Sequence, residues 1–241
     1  EEDMCRSMYL CIAEQPLNGK VVNFIGDSVP IATTGDHMKL LHKHGFRTHD
    51  LAAMDDYAEY KAMGESFLNI YSLPVAAWSA ACLEERLGQQ FIYMPYTYIY
   101  DEIDRDMTRL AAVLDVEAPD LTDMRTEAEE SLANALSIVG TAPIGIDYMS
   151  TPRFLSLARL LLSHGFNVTE IYGDSLTPDS MPDLEWLKQH YPDIPLKATQ
   201  DFRARFYPRD EEADGKVIAI GQKAAYFMGT GHFVNMIANN G

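Results

Sequence analysis

"KLLHKHGF" at residues 39–46 and "RLLLSHGF" at residues 159–166 are two copies of nearly the same sequence in one chain of 241 residues. Each copy is an apolar, helix-like run that closes with His-Gly-Phe. Glycine after such a run ends a helix, because it adopts the left-handed conformation without a steric penalty. Gly45 and Gly165 therefore predict two equivalent helix ends, and Phe46 and Phe166 predict the start of the next buried strand.

Short apolar runs and helical patterns alternate around both copies of this repeat. Strands joined by helices of about ten residues or more build parallel sheets with helices on both faces. The sequence therefore predicts an α/β protein made of two doubly wound, Rossmann-like, parallel-sheet domains. The predicted strands are 21–26, 66–71, 90–95, 143–149, 166–173, 216–221 and 232–237, and the predicted helices are 36–45, 55–64, 75–88, 101–115, 150–165, 183–191 and 222–229.

The predicted domain organisation follows from the place where the alternation restarts. A long stretch, "LTDMRTEAEESLANALSIVG", separates the two sets of strands and has the pattern of one helix. We therefore expect an N-terminal segment (1–19), a first α/β domain (20–120), a linking helix (121–142) and a second α/β domain (143–241).

Composition excludes several classes of partner. A net charge of −17 repels phosphate backbones and anionic lipid surfaces, so neither nucleic acid nor a membrane is an expected partner. No apolar run approaches the ~20 residues that span a bilayer. The three cysteines are too few and too scattered for a disulfide framework, which favours a reducing, cytoplasmic location.

Open parallel sheets bind ligands at the carboxyl ends of their strands, near the point where the strand order reverses. Four predicted turns lie there, at 26–36, 71–76, 147–153 and 221–226. In an arrangement of two domains, these turns are expected to face a shared cleft.

The first and third of these turns contain candidate binding groups. "GDSVPIATTGD" (26–36) has two interpretations, an anion site at a helix N-terminus or an ordinary connection, and it matches neither dinucleotide nor Walker motifs. In "MSTPRF", Ser150 or Thr151 is the predicted helix cap, with Pro152 in the first turn. Arg153 is then either a clamp on a negative ligand or buried carboxylate, or a solvated or structural arginine.

His44 and His164 precede the two repeat glycines. They are either a pair of metal ligands or polar groups at the negative ends of helix dipoles. The second interpretation is favoured, and no metal site is predicted from the residues of this chain.

Four stretches resemble, in order over about residues 20–237, the nitrogenase component 1 family. This family comprises the nitrogenase molybdenum–iron protein subunits, cofactor-assembly scaffolds and dark-operative protochlorophyllide reductases. The stretches are "VNFIGDSVPIATTGDHMKLLHKHGFR", "SFLNIYSLPVAAWSAACLEERLGQQFIYMP", "IDYMSTPRFLSLARLLLSHGFNVTEIYG" and "VIAIGQKAAYFMGTGHFVNM".

The resemblance implies doubly wound domains around an iron–sulfur metallocluster or a tetrapyrrole. It also implies a homologous partner subunit and an ATP-dependent iron–sulfur reductase that supplies electrons. Ser72 stands where the nitrogenase α subunit has a cluster-ligating cysteine, and serine is a poor ligand for such a cluster. Arg153 matches an arginine beside the cofactor.

The resemblance further implies that Gly26, Asp27 and Thr151 line the cofactor site with Ser72 and Arg153. His232 stands where the family usually has proline, so the resemblance gives it no role as a ligand. The family's late cofactor-ligating histidine falls at or beyond Gly241.

We therefore expect a domain fragment of a nitrogenase-like oxidoreductase component, lacking the N-terminal cluster domain and inactive alone. It binds a metallocofactor or tetrapyrrole in the interdomain cleft. The alternative is a non-catalytic, two-lobed binding protein or cofactor-assembly scaffold for a metal chelate or an anionic metabolite. A glycosyltransferase of two facing domains is a third interpretation, for which the sequence has no sugar-nucleotide signature.

Overall fold

The computed structural model describes residues 2–207, 216–231 and 233–234. Contacts divide the chain into two compact units. The first runs to Tyr96 and resumes over Arg105–Pro119, and the second comprises Thr97–Asp104 and the chain from Asp120. The segment expected as a linking helix belongs with the second unit, and the domain boundaries expected from the sequence stay a prediction.

The first unit contains a parallel sheet of four strands in the order β2-β1-β3-β4. The order reverses between β1 and β3, which are neighbours in the sheet. Its strands are β1 (Asn18–Phe24), β2 (Arg47–Asp50), β3 (Ser66–Tyr71) and β4 (Gln90–Tyr93), and its helices are α1 (Glu2–Tyr9), α2 (Asp36–Lys43), α3 (Tyr57–Ala62), α4 (Ala77–Leu87) and most of α5 (Tyr100–Leu114).

The second unit contains a parallel sheet of five strands in the order β7-β6-β5-β8-β9. Here the order reverses between β5 and β8. Its strands are β5 (Ile144–Asp147), β6 (Val168–Tyr172), β7 (Leu196–Lys197), β8 (Ile218–Ile220) and β9 (Phe233–Val234), and its helices are α6 (Thr122–Val139), α7 (Phe154–Ser163), α8 (Met181–His190) and α9 (Gln222–Met228).

The repeated sequence has the same structure in both units. After α2, the N–H of Gly45 donates to the carbonyl of His42 and that of Phe46 donates to Leu41, both at 3.0 Å. The same two bonds follow α7, from Gly165 and Phe166, at 3.1 and 3.0 Å. Both glycines have positive φ, +73° and +83°, and both phenylalanines are buried. The predicted helix ends are confirmed, and each leads into a strand that pairs in parallel with the first strand of its sheet.

Apolar side chains cover the second sheet through two separate clusters. One joins β5 and β6 to α7 and α8, and the other joins Tyr172 and Ala219 to α9. Leu132 and Leu136 attach α6 to the first of these clusters. The predicted fold class, α/β with two doubly wound parallel-sheet units, is confirmed.

A buried amide network fixes the alignment of strands in the first unit. The side-chain amide of Asn23 on β1 donates to the side chain of Asn69 on β3 at 2.9 Å, and Asn69 donates to Gln89 at 3.1 Å. Asn23 and Gln89 both also donate to the carbonyl of Met63. All three polar side chains are fully buried, so a shift of one strand by one residue would leave amides without partners.

Several local predictions were wrong. Helix α7 begins at Phe154 with Arg153 as its cap, not at Ser150 or Thr151, because the Ser150 hydroxyl instead donates to the carbonyl of Asp147 at 2.5 Å and closes a turn. Helix α1 and the short strand β7 were not predicted. Of the predicted strand 232–237, the structure describes only β9 (Phe233–Val234), and His232 lies outside the described residues.

No helix in the described part of the chain combines the length and apolarity needed to cross a membrane.

Candidate functional site

The carboxyl edge of the first sheet contains Gly26, which follows β1 at the point where the strand order reverses. Its φ is +93°, and a Cβ added there would lie 2.3 Å from the Cβ of Ala76 in the turn after β3. Its N–H donates to the hydroxyl of Tyr9 at 2.8 Å. Glycine is therefore required for close packing of two turns, and its N–H is already bonded within the protein.

Three side chains from three strand ends lie together beside Gly26, and we refer to them as the Ser72–Tyr96–Asp27 array. The Tyr96 hydroxyl, after β4, donates to Oδ1 of Asp27, after β1, at 2.8 Å. Ser72, after β3, lies beside the Tyr96 hydroxyl, and its side chain acts to lower the pKa of Tyr96. Asp27 is only 7% exposed, whereas Ser72 and Tyr96 are partly exposed. Two partly exposed hydroxyl side chains therefore lie beside a buried carboxyl group.

Burial controls the protonation of this array. Burial raises the pKa of Asp27 from 3.8 to about 6, the hydrogen bond from Tyr96 lowers it, and the charge of Asp50 adds to the rise. Burial also raises the pKa of Tyr96, and the nearby Asp27 carboxylate raises it further. Below about pH 6 the side chains of Asp27 and Tyr96 are therefore both neutral and both carry a proton.

Arg153 in the second unit is buried and ion-paired within the protein. Its Nη2 lies 2.8 Å from Oδ2 of Asp183 and 3.7 Å from Oε2 of Glu102. Arg159 contacts the other oxygen of Asp183 at 3.3 Å. Asp183 is thus the buried carboxylate that one interpretation of Arg153 required, while the buried Nε of Arg153 has no hydrogen-bond partner among the described residues.

Thr151 supports the backbone next to this ion pair. Its hydroxyl accepts a hydrogen bond from the N–H of Arg153 at 3.4 Å and also bonds to Tyr98. Thr151 is buried, and burial raises the pKa of Tyr98. The structure brings Thr151 and Arg153 together, but both side chains bond to groups of the protein itself.

Asp147 ends β5 and occupies the N-terminus of α9. Its Oδ2 accepts from the N–H of Ala224 and its Oδ1 from that of Met149, both at 2.7 Å. A Cβ at Gly221 would lie 2.3 Å from the carboxyl group. The protein's own carboxylate thus fills the position where an anion would bind a helix N-terminus in this fold.

A second polar cluster surrounds Lys223 in the first turn of α9. Its ammonium donates to the hydroxyl of Tyr148 and to Oγ1 of Thr199, the latter at 2.8 Å, and lies 3.6 Å from Asp174. Burial acts to raise the pKa of Asp174, but hydrogen bonds from Thr199 and Gln200 outweigh it and hold that pKa below its ordinary value. Two hydroxyl oxygens accept from the ammonium and one carboxylate balances its charge, so the cluster is compensated within the protein.

The donor set does not fit an iron–sulfur cluster. Among the described residues, no group of three His, Cys, Asp or Glu side chains is arranged to hold a metal ion. The exposed groups at the edge of the first sheet are hydroxyls, whereas these clusters require thiolates. His164 lies 2.7 Å from the carbonyl of Leu160 and 3.1 Å from Glu129, as expected for a histidine at a helix end.

Comparisons with known proteins show the fold. No family model and no curated protein sequence matches the chain. The solved structure "Nitrogenase Cp1 at pH 6.5" aligns with the whole chain at a TM-score of 0.64 and 12% identity. The fold is nitrogenase-like. A second structure, "Nitrogenase Cp1 at pH 5", aligns with the whole chain at a TM-score of 0.51 and 14% identity.

The chain spans less than two thirds of these solved chains, 58% of the first and 57% of the second. A substrate-binding protein of an ABC transporter from Listeria monocytogenes EGD-e aligns over 87% of this chain and 97% of its own chain, at 11% identity. Its TM-score of 0.42 is too low to support a conclusion about the fold or function of this chain. At these identities the comparisons support the nitrogenase-like fold expected from the sequence and say nothing of activity.

The expected site residues fall into two groups. Gly26, Asp27 and Ser72 lie at one sheet edge in the first unit, and Arg153 and Thr151 adjoin each other in the second. The residues expected from the sequence did not include Tyr96, whose hydroxyl donates to Asp27. The available signal was its position directly after Pro95, where the chain leaves the carboxyl end of β4.

Proposed function

We propose that the chain is a segment of a nitrogenase-like oxidoreductase component, and that the carboxyl edge of its first sheet binds an organic ligand of the tetrapyrrole class. The observation that carries this proposal is the Ser72–Tyr96–Asp27 array. It lies where the strand order reverses, within a fold similar to nitrogenase over the whole chain.

The chemistry of the edge favours an organic ligand over a metallocluster. Ser72 and Tyr96 present hydroxyl groups that donate and accept hydrogen bonds but bind soft iron poorly. Tyr71 and Tyr93, from the adjoining strands, stack with ring centroids 4.8 Å apart, and this pair packs in the apolar cluster behind the edge, where Tyr71 is buried. Aromatic side chains and a few hydroxyls are typical of sites that bind large, flat, mostly apolar molecules.

The residues of this edge have distinct roles in the proposal. Ser72 and Tyr96 hydrogen-bond to the ligand, Asp27 supplies an acid behind them, and Gly26 allows the two turns to approach. In the second unit, Arg153 and Thr151 shape the corresponding edge through the Asp183 ion pair. A homologous partner subunit and an ATP-dependent iron–sulfur reductase complete the activity, as the family resemblance implies.

A fluorescence titration with protoporphyrin IX tests the binding step. Ser72→Trp places a large side chain at the edge of the sheet and is expected to abolish binding by the folded protein. Ser137→Trp is the matched control, because Ser137 is exposed on α6 and its hydroxyl bonds only within its own helix. Equal affinities of the two variants would refute the proposed site.

The second candidate is a non-catalytic binding or cofactor-assembly scaffold. It is favoured by Arg153, Lys223 and Asp147, whose charges are paired or hydrogen-bonded with groups of the chain itself. Reconstitution with the partner subunit and reductase separates the two candidates. An oxidoreductase component supports reductant-dependent turnover of the bound ligand, whereas a scaffold binds and releases it unchanged.

A further inference from the structure

Two carboxylates lie at the carboxyl edge of the first sheet. Asp27 follows β1, and Asp50 ends β2, where it pairs in register with Phe24 at the end of β1. The hydrogen bonds that they accept come from neutral groups, the hydroxyl of Tyr96 for Asp27 and backbone N–H groups for Asp50. In the described part of the chain, neither carboxylate has a lysine, arginine or histidine as a partner, so no cation offsets their charge.

The charge of Asp50 acts on three titratable side chains around it. Burial is the main cause that raises the pKa of Asp27, Tyr96 and Tyr9, and the Asp50 carboxylate adds to the rise in all three. A negative charge therefore already disfavours a second one at this edge. A ligand carboxylate brought to the edge would meet the same repulsion.

Three backbone N–H groups in the turns of this edge are already bonded within the protein. The N–H of Gly26 donates to the hydroxyl of Tyr9 at 2.8 Å. The N–H groups of Ile31 and Ala52 donate to the Asp50 carboxylate at 2.7 and 3.0 Å. A carboxylate that leaves water requires such donors or a cation. These N–H groups are therefore not available to a ligand carboxylate.

We propose that Asp27 and Asp50 determine the charge of the ligand, so that the carboxyl edge of the first sheet accepts a neutral or cationic flat molecule and rejects carboxylates. The proposal rests on the proposed function for the flat organic ligand and adds which side of that ligand faces the protein. Because Tyr96 gives its one proton to Asp27, its oxygen is an acceptor toward the ligand. Protoporphyrin IX, whose carboxylates lie on one side of the ring, binds with that side turned away, and its uncharged dimethyl ester binds more tightly.

The charge of the edge is measured first without a tetrapyrrole. Ser72→Cys, beside the Tyr96 hydroxyl, is made in a background in which Cys11→Ser and Cys82→Ser remove the other accessible thiols. Its reaction rates with two methanethiosulfonate reagents, one with a trimethylammonium group and one with a sulfonate, give a ratio in which the reactivity of the thiol itself cancels. A negative edge concentrates the cation, so this ratio is expected to be about 10-fold higher than at Ser137→Cys on the exposed face of α6.

Further variants assign the charge to the two carboxylates. Asp27→Asn and Asp50→Asn each remove a charge and keep an acceptor oxygen, so each is expected to lower the ratio by about 3-fold. Asp193→Asn is the matched control, because Asp193 is exposed in the second unit and its loss changes the net charge equally. Equal ratios at Ser72→Cys and Ser137→Cys, or an equal effect of Asp193→Asn, would overturn the proposal.

Titrations with protoporphyrin IX and its dimethyl ester then separate this proposal from the proposed function. At a pH well above 6, where Asp27 is a carboxylate, the ester is expected to bind about 10-fold more tightly, and Asp27→Asn should remove most of this difference. If the thiol ratio is as expected but neither tetrapyrrole binds, the proposed function is wrong and the charge preference stands. Tighter binding of the diacid would overturn the charge preference and leave the binding site in place.

Discussion

Replacing Asp27 by asparagine removes one titrating group from the core of the first unit and changes how stability depends on pH. The pKa of Asp27 is about 6 in the folded chain, against an ordinary value of 3.8. Between these two values the folded protein binds a proton that the unfolded chain has released, so the free energy of unfolding falls as pH rises. The difference between the two pKa values corresponds to a change of about 3 kcal/mol in the free energy of unfolding, at 1.36 kcal/mol for each pKa unit.

Urea unfolding at a series of pH values measures this contribution. Trp78 lies in the first unit and Trp186 in the second, so a Trp186→Phe background makes fluorescence report on the first unit alone. The stability of Asp27→Asn relative to the parent is expected to increase by about 3 kcal/mol from below pH 3.8 to above pH 6. A constant difference across this range would show that Asp27 titrates normally and would refute the argument from burial.

Three further predictions concern stability. Burial lowers the pKa of His37 from 6.5 to about 4, so the folded protein loses stability as pH falls through this range. His37→Gln should abolish that loss in the same urea series. The same loss of stability between pH 6.5 and 4 in this variant would contradict the prediction. Gly26→Ala combines a positive φ with the contact at Ala76 and should cost about 2–4 kcal/mol. Gly45→Ala, whose Cβ meets nothing within 4 Å, should cost about 1–2 kcal/mol in thermal unfolding, and equal losses would remove the packing argument. Asp183→Ala leaves the Arg153 charge buried and should cost about 3–5 kcal/mol by calorimetry, whereas a loss below about 1 kcal/mol would mean that this ion pair is solvated.

The architecture was predictable because its signals are local. The glycines that end α2 and α7 stand directly after apolar helical runs, and the conformation they require follows from the sequence around them. The alternation of strands and helices likewise requires no knowledge of distant contacts. By contrast, α1 is short and rich in polar residues, and β7 has two residues, too few for a periodic pattern.

The site was predictable only in part, because its hydrogen bonds join distant positions. Asp27 and Ser72 lie in turns at predicted strand ends and were expected at the site from the family resemblance, but Tyr96 joins Asp27 across 69 positions. For Arg153 the sequence left open a clamp on a negative ligand or buried carboxylate and a solvated or structural arginine, and the choice depended on Asp183, 30 positions away. Such partners depend on the order of strands in the sheet, which the local pattern does not encode.

The most direct test of the account is a crystal structure of the chain with protoporphyrin IX bound. The account predicts that the tetrapyrrole lies at the carboxyl edge of the first sheet, with the hydroxyl of Ser72 or Tyr96 at hydrogen-bonding distance from one of its polar atoms. A tetrapyrrole bound elsewhere on the chain, with these two hydroxyls in contact only with Asp27 and each other, would contradict it.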